Sequence, residues 1–127
     1  MAIKDYCDYD TCVALKELGY VGSSRYYYTQ RDHKFHYDAY NKFYTVRTAD
    51  AMGYVLAVHL YDAQKFLREE KKILVNIDID YNWYYGIYFS EGNTYSPQFS
   101  GGEYGSYEDA LSEGIKEALK ILKEERK

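Results

Sequence analysis

The clearest pattern along the chain is a period of two residues between Ile73 and Phe89. Alternate positions on both sides of a tight polar connection at Tyr81–Asn82 are apolar, namely Ile73, Val75, Ile77, Ile79, Trp83, Tyr85, Ile87 and Phe89. Because successive side chains of a strand point to opposite faces, this pattern predicts a β-hairpin. One face of the hairpin is apolar and needs a cover, while the other carries carboxylates and tyrosines.

Two segments of the chain repeat their apolar residues with a helical period. "DYDTCVALKELGY" predicts a short helix with Asp10 as its N-cap and Gly19 as its C-terminal stop. Its buried face would combine Val13, Ala14 and Leu18, with Leu15 at its margin. A second helix is predicted from about Leu60, and its stripe contains Leu60, Ala63, Phe66 and Leu67.

The last helix is predicted in "SYEDALSEGIKEALKILKEERK", with Ser106 as its N-cap. Its apolar stripe consists of Leu111, Ile115, Ala118, Leu119 and Leu122. Gly114 lies inside this helix, where a glycine costs about 1 kcal/mol relative to alanine. We expect it to let the helix approach a bulky ring of the sheet.

The tyrosine-rich segments favour extended structure, because aromatic residues are good strand formers. "SSRYYYT" predicts a strand in which Tyr26 and Tyr28 face one side and Tyr27 the other. "HKFHYDAYNKFYTV" predicts two further strands joined near Asp38–Asn41, and Tyr54–Val58 a buried one. The Gly- and Ser-rich residues 91–105 predict a long loop with a short strand at Tyr95–Phe99.

These elements predict an α+β fold in which helices pack on one face of an antiparallel sheet. The order is α-β-β-(β)-α-β-β-α. A chain of 127 residues is the ordinary size of one domain, so we expect a single α+β domain over residues 1–127.

Composition narrows the classes of partner. A net charge of −4 makes extended nucleic-acid binding unlikely, since such binding needs clustered Lys and Arg. No apolar run has the length of a membrane span, and the N-terminus lacks the apolar core of a signal peptide. We therefore expect a cytoplasmic protein without a cofactor. Cys7 and Cys12 are then free thiols.

Two pairs of residues could hold a metal. Asp78 and Asp80 would share one face of a strand, about 7 Å apart, and could bind Mg²⁺ or act as paired catalytic acids. The alternative is that these two aspartates belong to the solvent-exposed face of a half-buried hairpin. His33 and His36 form H-x-x-H, but in an extended segment their imidazoles would point to opposite faces. For both pairs, a metal site is a weaker interpretation than exposed surface side chains.

The strongest candidate for function is the set of aromatic and basic residues. Tyrosine accounts for 18 positions, which is more than sheet formation requires. Aromatic faces beside cationic side chains stack nucleotides and form the centres of protein interfaces. We place Tyr84 and Tyr88 next to the Tyr26–Tyr28 segment on the open face of the sheet. The candidate binding residues are Arg25, Tyr26, Tyr28, Lys34, His36, Arg47, Tyr84 and Tyr88.

Three stretches together resemble a known group of proteins. "LKELGY", "YDAQKFLREEKKILVNIDIDYNWYYGIYF" and "YEDALSEGIKEALKIL" are similar, in this order, to small uncharacterised proteins from Bacteroidales genomes, prophages and phages. Members of that group end in a YEEALEEGIKEAL-like helix. The resemblance covers about half the chain and implies a phage or mobile-element setting, but no activity. The hairpin and last helix also resemble the fold of HicB-like antitoxins.

The sequence therefore favours a non-enzymatic binding protein of phage or mobile-element origin. It would present an aromatic sheet surface to a host or phage protein, or to a small ligand such as a nucleotide, and one such role is inhibition of a host protein. A homo-oligomer is compatible with the same surface. Two alternatives stay open: a small metal-dependent enzyme using Asp78 and Asp80, and a HicB-like antitoxin that binds a toxin.

Overall fold

A computed structural model describes residues 3–40, 42–91 and 94–125 and shows an α+β protein, as predicted. Within these residues the helices are α1 (Tyr9–Glu17), α2 (Val46–Ala51), α3 (Leu60–Glu70) and α4 (Tyr107–Glu125), after a 3-10 turn at Ile3–Asp5. The strands are β1 (Ser23–Ser24), β2 (Tyr26–Thr29), β3 (Phe35–Tyr37), β4 (Tyr44–Thr45), β5 (Tyr54–Leu56), β6 (Ile73–Asp80), β7 (Asn82–Glu91) and β8 (Thr94–Tyr104).

The chain divides into two compact units, Met1–His59 and Leu60–Lys127. The described strands form three antiparallel sheets rather than the one that was predicted, in the orders β1-β4, β3-β2-β5 and β6-β7-β8. The first two sheets belong to the first unit and the third to the second unit. The assignment of residues 1–127 to a single domain stays a prediction.

Helix α1 begins two residues earlier than predicted. Its N-cap is Asp8, whose carboxylate accepts a hydrogen bond from the Thr11 amide at 2.9 Å, so Asp10 is not the cap. Gly19 ends the helix region with a φ of +94°, as expected for a stop. The centre of the predicted buried face was wrong, because the buried residues are Thr11, Cys12 and Leu15, of which only Leu15 was predicted, at the margin of that face. Cys12 faces the chain after β5, where the Val58 amide donates to its Sγ at 3.4 Å.

The two strands predicted around Asp38–Asn41 exist, but they do not pair with each other. β3 pairs with β2, and β4 pairs with β1. Helix α2 follows β4 directly and was not predicted from the sequence. It begins with a capping box, in which Thr45 and Thr48 each accept a hydrogen bond from the other's backbone amide. Asn41 lies outside the described residues.

The second unit contains the predicted hairpin. The register joins Ile73 to Phe89, Val75 to Ile87 and Ile79 to Trp83, so the apolar positions of both strands share one face. Helix α4 packs on β6 and β7, and α3 packs on β6. Tyr81 makes the turn with a φ of +62°.

The segment 91–105 is not the predicted long loop, and the short strand predicted at Tyr95–Phe99 lies within a longer strand. It is largely strand β8, paired along its length with β7 and interrupted by two register shifts. The sheet order β6-β7-β8 makes β8 an edge strand, which is where a proline such as Pro97 fits because its missing N–H can face outward. Gly92 and Asn93 lie outside the described residues.

Candidate binding surfaces

The candidate residues fall into both units. Tyr84 and Tyr88 belong to β7 of the second unit, and the other six belong to the first. The expectation that Tyr84 and Tyr88 continue the sheet of Tyr26–Tyr28 was wrong, because the two strands belong to different sheets. The reason is that the alternation of side chains within a strand does not specify which distant strand pairs with it.

The pairing of β2 with β3 sorts the aromatic residues of the first unit by face. Tyr26 lies opposite Tyr37, Tyr27 opposite His36, and Tyr28 opposite Phe35. Because paired residues share a face, Tyr26, Tyr28, Phe35 and Tyr37 lie on one side, with Tyr27 and His36 on the other. The predicted alternation of the three tyrosines is confirmed.

Tyr28 is a core residue and does not contribute to an exposed surface. Only 4% of it is exposed, and its hydroxyl donates to the Cys7 carbonyl at 2.7 Å. Burial raises the pKa of this phenol well above its ordinary value. Its assignment as a binding residue is therefore replaced by a structural role, which is to join β2 to the chain before α1.

Arg25 and three rings form a continuous stack at the edge of this sheet. The Arg25 guanidinium carbon lies 5.5 Å from the centre of the Tyr26 ring and 5.6 Å from that of Tyr37. Tyr26 in turn stacks on Phe35, with ring centres 5.5 Å apart and planes 19° from parallel. Both distances from the guanidinium are within the range of cation–π attraction. Tyr37 is 59% exposed, so the outer end of the stack is accessible.

Lys34 and His36 lie on the same edge strand or directly before it, and both side chains are exposed. The His36 ring stacks on Tyr27, 5.6 Å away and 21° from parallel, on the opposite face from Tyr37. The structure therefore places four of the predicted residues at or near this edge, with Arg25 and Tyr26 on one face of the sheet and Lys34 and His36 on the other. We call Arg25, Tyr26, Lys34, His36 and Tyr37 the β3 edge surface.

The connection that follows β3 presents two further aromatic side chains. Tyr40 is 92% exposed and Phe43 63%. The Asp38 carboxylate accepts hydrogen bonds from the amides of Tyr40, at 3.2 Å, and Lys42, at 2.5 Å, as is typical of an aspartate in a turn. Sequence reasoning missed Tyr37, Tyr40 and Phe43. The available signal was the turn residue Asp38 between large aromatic residues, because a turn places its neighbours at the surface.

Arg47 does not belong to the β3 edge surface. It lies on α2, is exposed, and lines a groove of about 410 Å³ between the end of α1 and the start of α2. The structure therefore separates a residue that the sequence had grouped with Arg25.

Tyr84 and Tyr88 lie on the face of β7 opposite the one that α4 covers, and both are half-buried. The Tyr88 ring lies over Gly86, where an added Cβ would come within 2.9 Å of the ring atom Cε2. The charge of Asp78, across the strand pair, is the main cause that raises the pKa of Tyr84. These two rings lie on the sheet beside a carboxylate, as expected for the solvent-exposed face of a hairpin.

Two of the metal candidates, Asp78 and His33, make other contacts in the fold. Asp78 and Asp80 share one face of β6 and are exposed, and the Asp78 carboxylate accepts the Ile79 amide at 2.8 Å. The His33 ring stacks on Tyr9 at 3.6 Å. Among residues 3–40, 42–91 and 94–125, no group of three or more His, Cys, Asp or Glu side chains is placed to hold a metal ion.

Cys7 and Cys12 are buried free thiols. The hydrogen bond with the Cys12 thiol, together with burial, raises the pKa of Cys7 well above its ordinary value. A thiol with a raised pKa stays protonated at neutral pH and is a poor nucleophile, so Cys7 is not suited to act as a catalytic nucleophile.

Comparisons with known proteins do not assign the chain to a family. The chain matches no protein-family model, and neither a curated protein nor a solved structure shows significant similarity to it. In the part of the chain that the structure describes, no helix has the length and apolar character that a membrane crossing requires.

Proposed function

We propose that this chain is a non-enzymatic binding protein whose recognition site is the β3 edge surface. Its partner is a protein that docks an extended acidic segment along β3. The observation that carries the proposal is the Arg25–Tyr26–Tyr37 stack beside the edge strand β3, on which Tyr37 lies exposed.

The position of β3 supports strand addition by a partner. In the order β3-β2-β5 the described residues place no strand on the outer side of β3. An unpaired strand edge offers backbone donors and acceptors to an incoming strand, and side chains on both faces then give specificity. Tyr37 and Arg25 would contact one face of the added strand, and Lys34 and His36 the other.

The local charge supports an acidic partner. Between Ser23 and Phe43 the sequence has four Lys and Arg residues and two Asp residues, although the net charge of the whole chain is −4. Complementary charge speeds association and rejects partners of like charge. Arg and Tyr are also the residue types that dominate interface energies.

The biological setting that we propose is a phage or mobile element, with inhibition of a host protein as the role. This setting rests on the resemblance of "LKELGY" and of the α3-to-α4 segment to Bacteroidales phage and prophage proteins. A HicB-like antitoxin is the second candidate, since β6, β7 and β8 are followed by α4 in the second unit. A toxin-sized reading frame beside the gene would favour this second candidate.

Site-specific crosslinking tests the proposal. A photo-crosslinking phenylalanine derivative at the position of Tyr37 should capture an acidic protein from a Bacteroidales lysate. The same derivative at the position of Tyr61, an exposed tyrosine on α3, should not capture it. Added salt should lower the yield, because exposed charge pairs are screened.

The matched variant is Arg25→Gln, which removes the guanidinium charge from the stack. It should lower the crosslinking yield at position 37 severalfold, since a cation–π contact contributes about 1 kcal/mol and a charge pair adds to it. Equal capture from positions 37 and 61, no capture, or capture unaffected by Arg25→Gln would each reject the proposal.

A further inference from the structure

The groove beside Arg47 is a concave feature of the first unit and is separate from the β3 edge surface. Its volume of about 410 Å³ lies within the range of about 300–1,000 Å³ that is usual for small-molecule sites. Its lining includes Tyr20, Val21 and Val46 as apolar residues and Lys16, Arg47 and Asp50 as charged ones.

Hydrogen bonds fix the two walls of the groove. On one wall the end of α1 is closed by the amides of Gly19 and Tyr20, which donate to the carbonyls of Lys16 and Leu15, each at 3.0 Å. On the other wall the capping box of Thr45 and Thr48 defines the start of α2. The β1–β4 ladder, which pairs Ser23 with Thr45, joins the two walls. The groove therefore has its shape before a ligand arrives, and this lowers the entropy cost of binding.

The floor of the groove is apolar and anchored in the core. Tyr20 and Val46 pack against the buried cluster of Tyr44, Ala49 and Leu56. Val21, between Gly19 and Gly22 of the same wall, is 83% exposed. A ligand that covers Val21, Val46 and the Tyr20 ring removes apolar surface from water, which favours binding at about 25 cal/mol per Å².

Among the charged residues that line the groove, Arg47 is the cation that is available to pair with a ligand. Lys16 forms an ion pair with Asp50, so these two charges cancel, and Gln30 Nε2 lies 3.4 Å from the same Asp50 oxygen. Arg47 is exposed and forms no ion pair with any other described residue. A guanidinium binds a carboxylate in a planar, two-point arrangement.

We infer that this groove binds a small organic acid: its aliphatic or aromatic body lies on Tyr20, Val21 and Val46, and its carboxylate pairs with Arg47. This site is separate from the proposed protein-binding surface, and either can be correct without the other. It gives the chain a small-ligand activity in addition to partner binding.

Amide NMR of the isotope-labelled full chain, titrated with phenylacetate at millimolar concentration, tests the inference. The amide signals of Gly19, Val21 and Gly22 should shift and saturate. Phenylacetamide, which has the same body without the charge, should bind about fivefold more weakly, because an ion pair at an exposed site contributes about 1 kcal/mol. Arg47→Gln should weaken phenylacetate binding by a similar factor.

Arg31→Gln is the matched control, because Arg31 is an exposed arginine of the same unit that does not line the groove. This variant should bind phenylacetate as the parent does. The inference is overturned if the groove amides do not shift, if phenylacetamide binds as well as phenylacetate, or if Arg47→Gln leaves the affinity unchanged. It is also overturned if Arg31→Gln weakens binding as much as Arg47→Gln.

Discussion

Gly114 lies in the middle of α4, where its helix propensity and its packing have opposite effects on stability. An alanine there would favour the helix by about 1 kcal/mol. However, an added Cβ would lie 2.7 Å from Cγ1 of Val75 and 3.1 Å from Cβ and Cγ of Tyr85. The sequence predicted that this glycine lets the helix approach a bulky ring, and the structure identifies that ring as Tyr85.

We expect Gly114→Ala to destabilise the protein by about 1–3 kcal/mol, because overpacking a filled core costs more than the helix propensity gains. Urea unfolding followed by circular dichroism measures this difference. Lys120→Ala, at an exposed position of the same helix, should change stability by less than about 0.5 kcal/mol. A stabilised Gly114→Ala variant would show that α4 can move away from β6 and β7 at little cost.

The burial of individual tyrosines could not be predicted from the sequence. Tyr26 and Tyr28 are two residues apart on the same face of β2, yet Tyr28 is buried and Tyr26 only half-buried. The difference arises because Tyr28 reaches the Cys7 carbonyl, 21 residues earlier in the chain. A contact with such a distant segment leaves no trace in the local pattern.

The start of α1 has two aspartates that could each serve as its N-cap. Asp8 and Asp10 are both good N-cap residues, and each precedes a helical pattern. The chain uses Asp8, and Asp10 then lies in the first turn as an acidic residue. Extending the helix toward the N-terminus adds backbone hydrogen bonds, such as that from the Cys12 amide to the Asp8 carbonyl at 2.9 Å.

Asp8→Ala should destabilise the protein by about 1 kcal/mol, since it removes the hydrogen bond to the Thr11 amide. Asp10→Ala should cost only a few tenths of a kcal/mol, which is the contribution of an exposed acid in a first turn. Thermal or urea unfolding of both variants makes the comparison. A larger loss for Asp10→Ala would identify Asp10 as the functional cap.

Strand β8 shows the limit of composition as a guide to an element. Glycine, serine and proline are typical of loops, so residues 91–105 were predicted as a loop with only a short strand at Tyr95–Phe99. The segment is extended because its backbone pairs with β7, and backbone pairing does not require apolar side chains. Gly101 has a further role, since a Cβ there would come within 2.7 Å of the Tyr85 ring. An edge strand tolerates residues that a central strand excludes.

Across the molecule, each unit has its own set of buried residues. In the second unit these include Val75 and Ile87 of the sheet and Leu111 and Ile115 of α4, all inaccessible to solvent. In the first unit Leu15, Tyr28, Val55 and Leu56 are buried. A unit that supplies both the sheet and the helix covering it meets the basic requirement for folding by itself.

We therefore expect a fragment of residues 60–127 to fold in isolation. Its circular dichroism should show helix, its urea unfolding should be cooperative, and its amide NMR signals should be dispersed. An isolated fragment that remains unfolded would contradict this expectation and favour the single domain that was predicted from the sequence. The fragment has about half the length of the chain, so a lower stability than that of the full protein is expected.

The sequence by itself determined the α+β class, the hairpin of β6 and β7, and the helices α3 and α4, because each depends on periodicity and end signals within a short segment. Only the tertiary structure decided which strands pair, which tyrosines are buried, and that Arg25 stacks on Tyr26 and Tyr37 while Arg47 lines a separate groove. The physical reason is that these outcomes depend on contacts between residues far apart in the chain, and a local pattern of side chains carries no information about its distant partner.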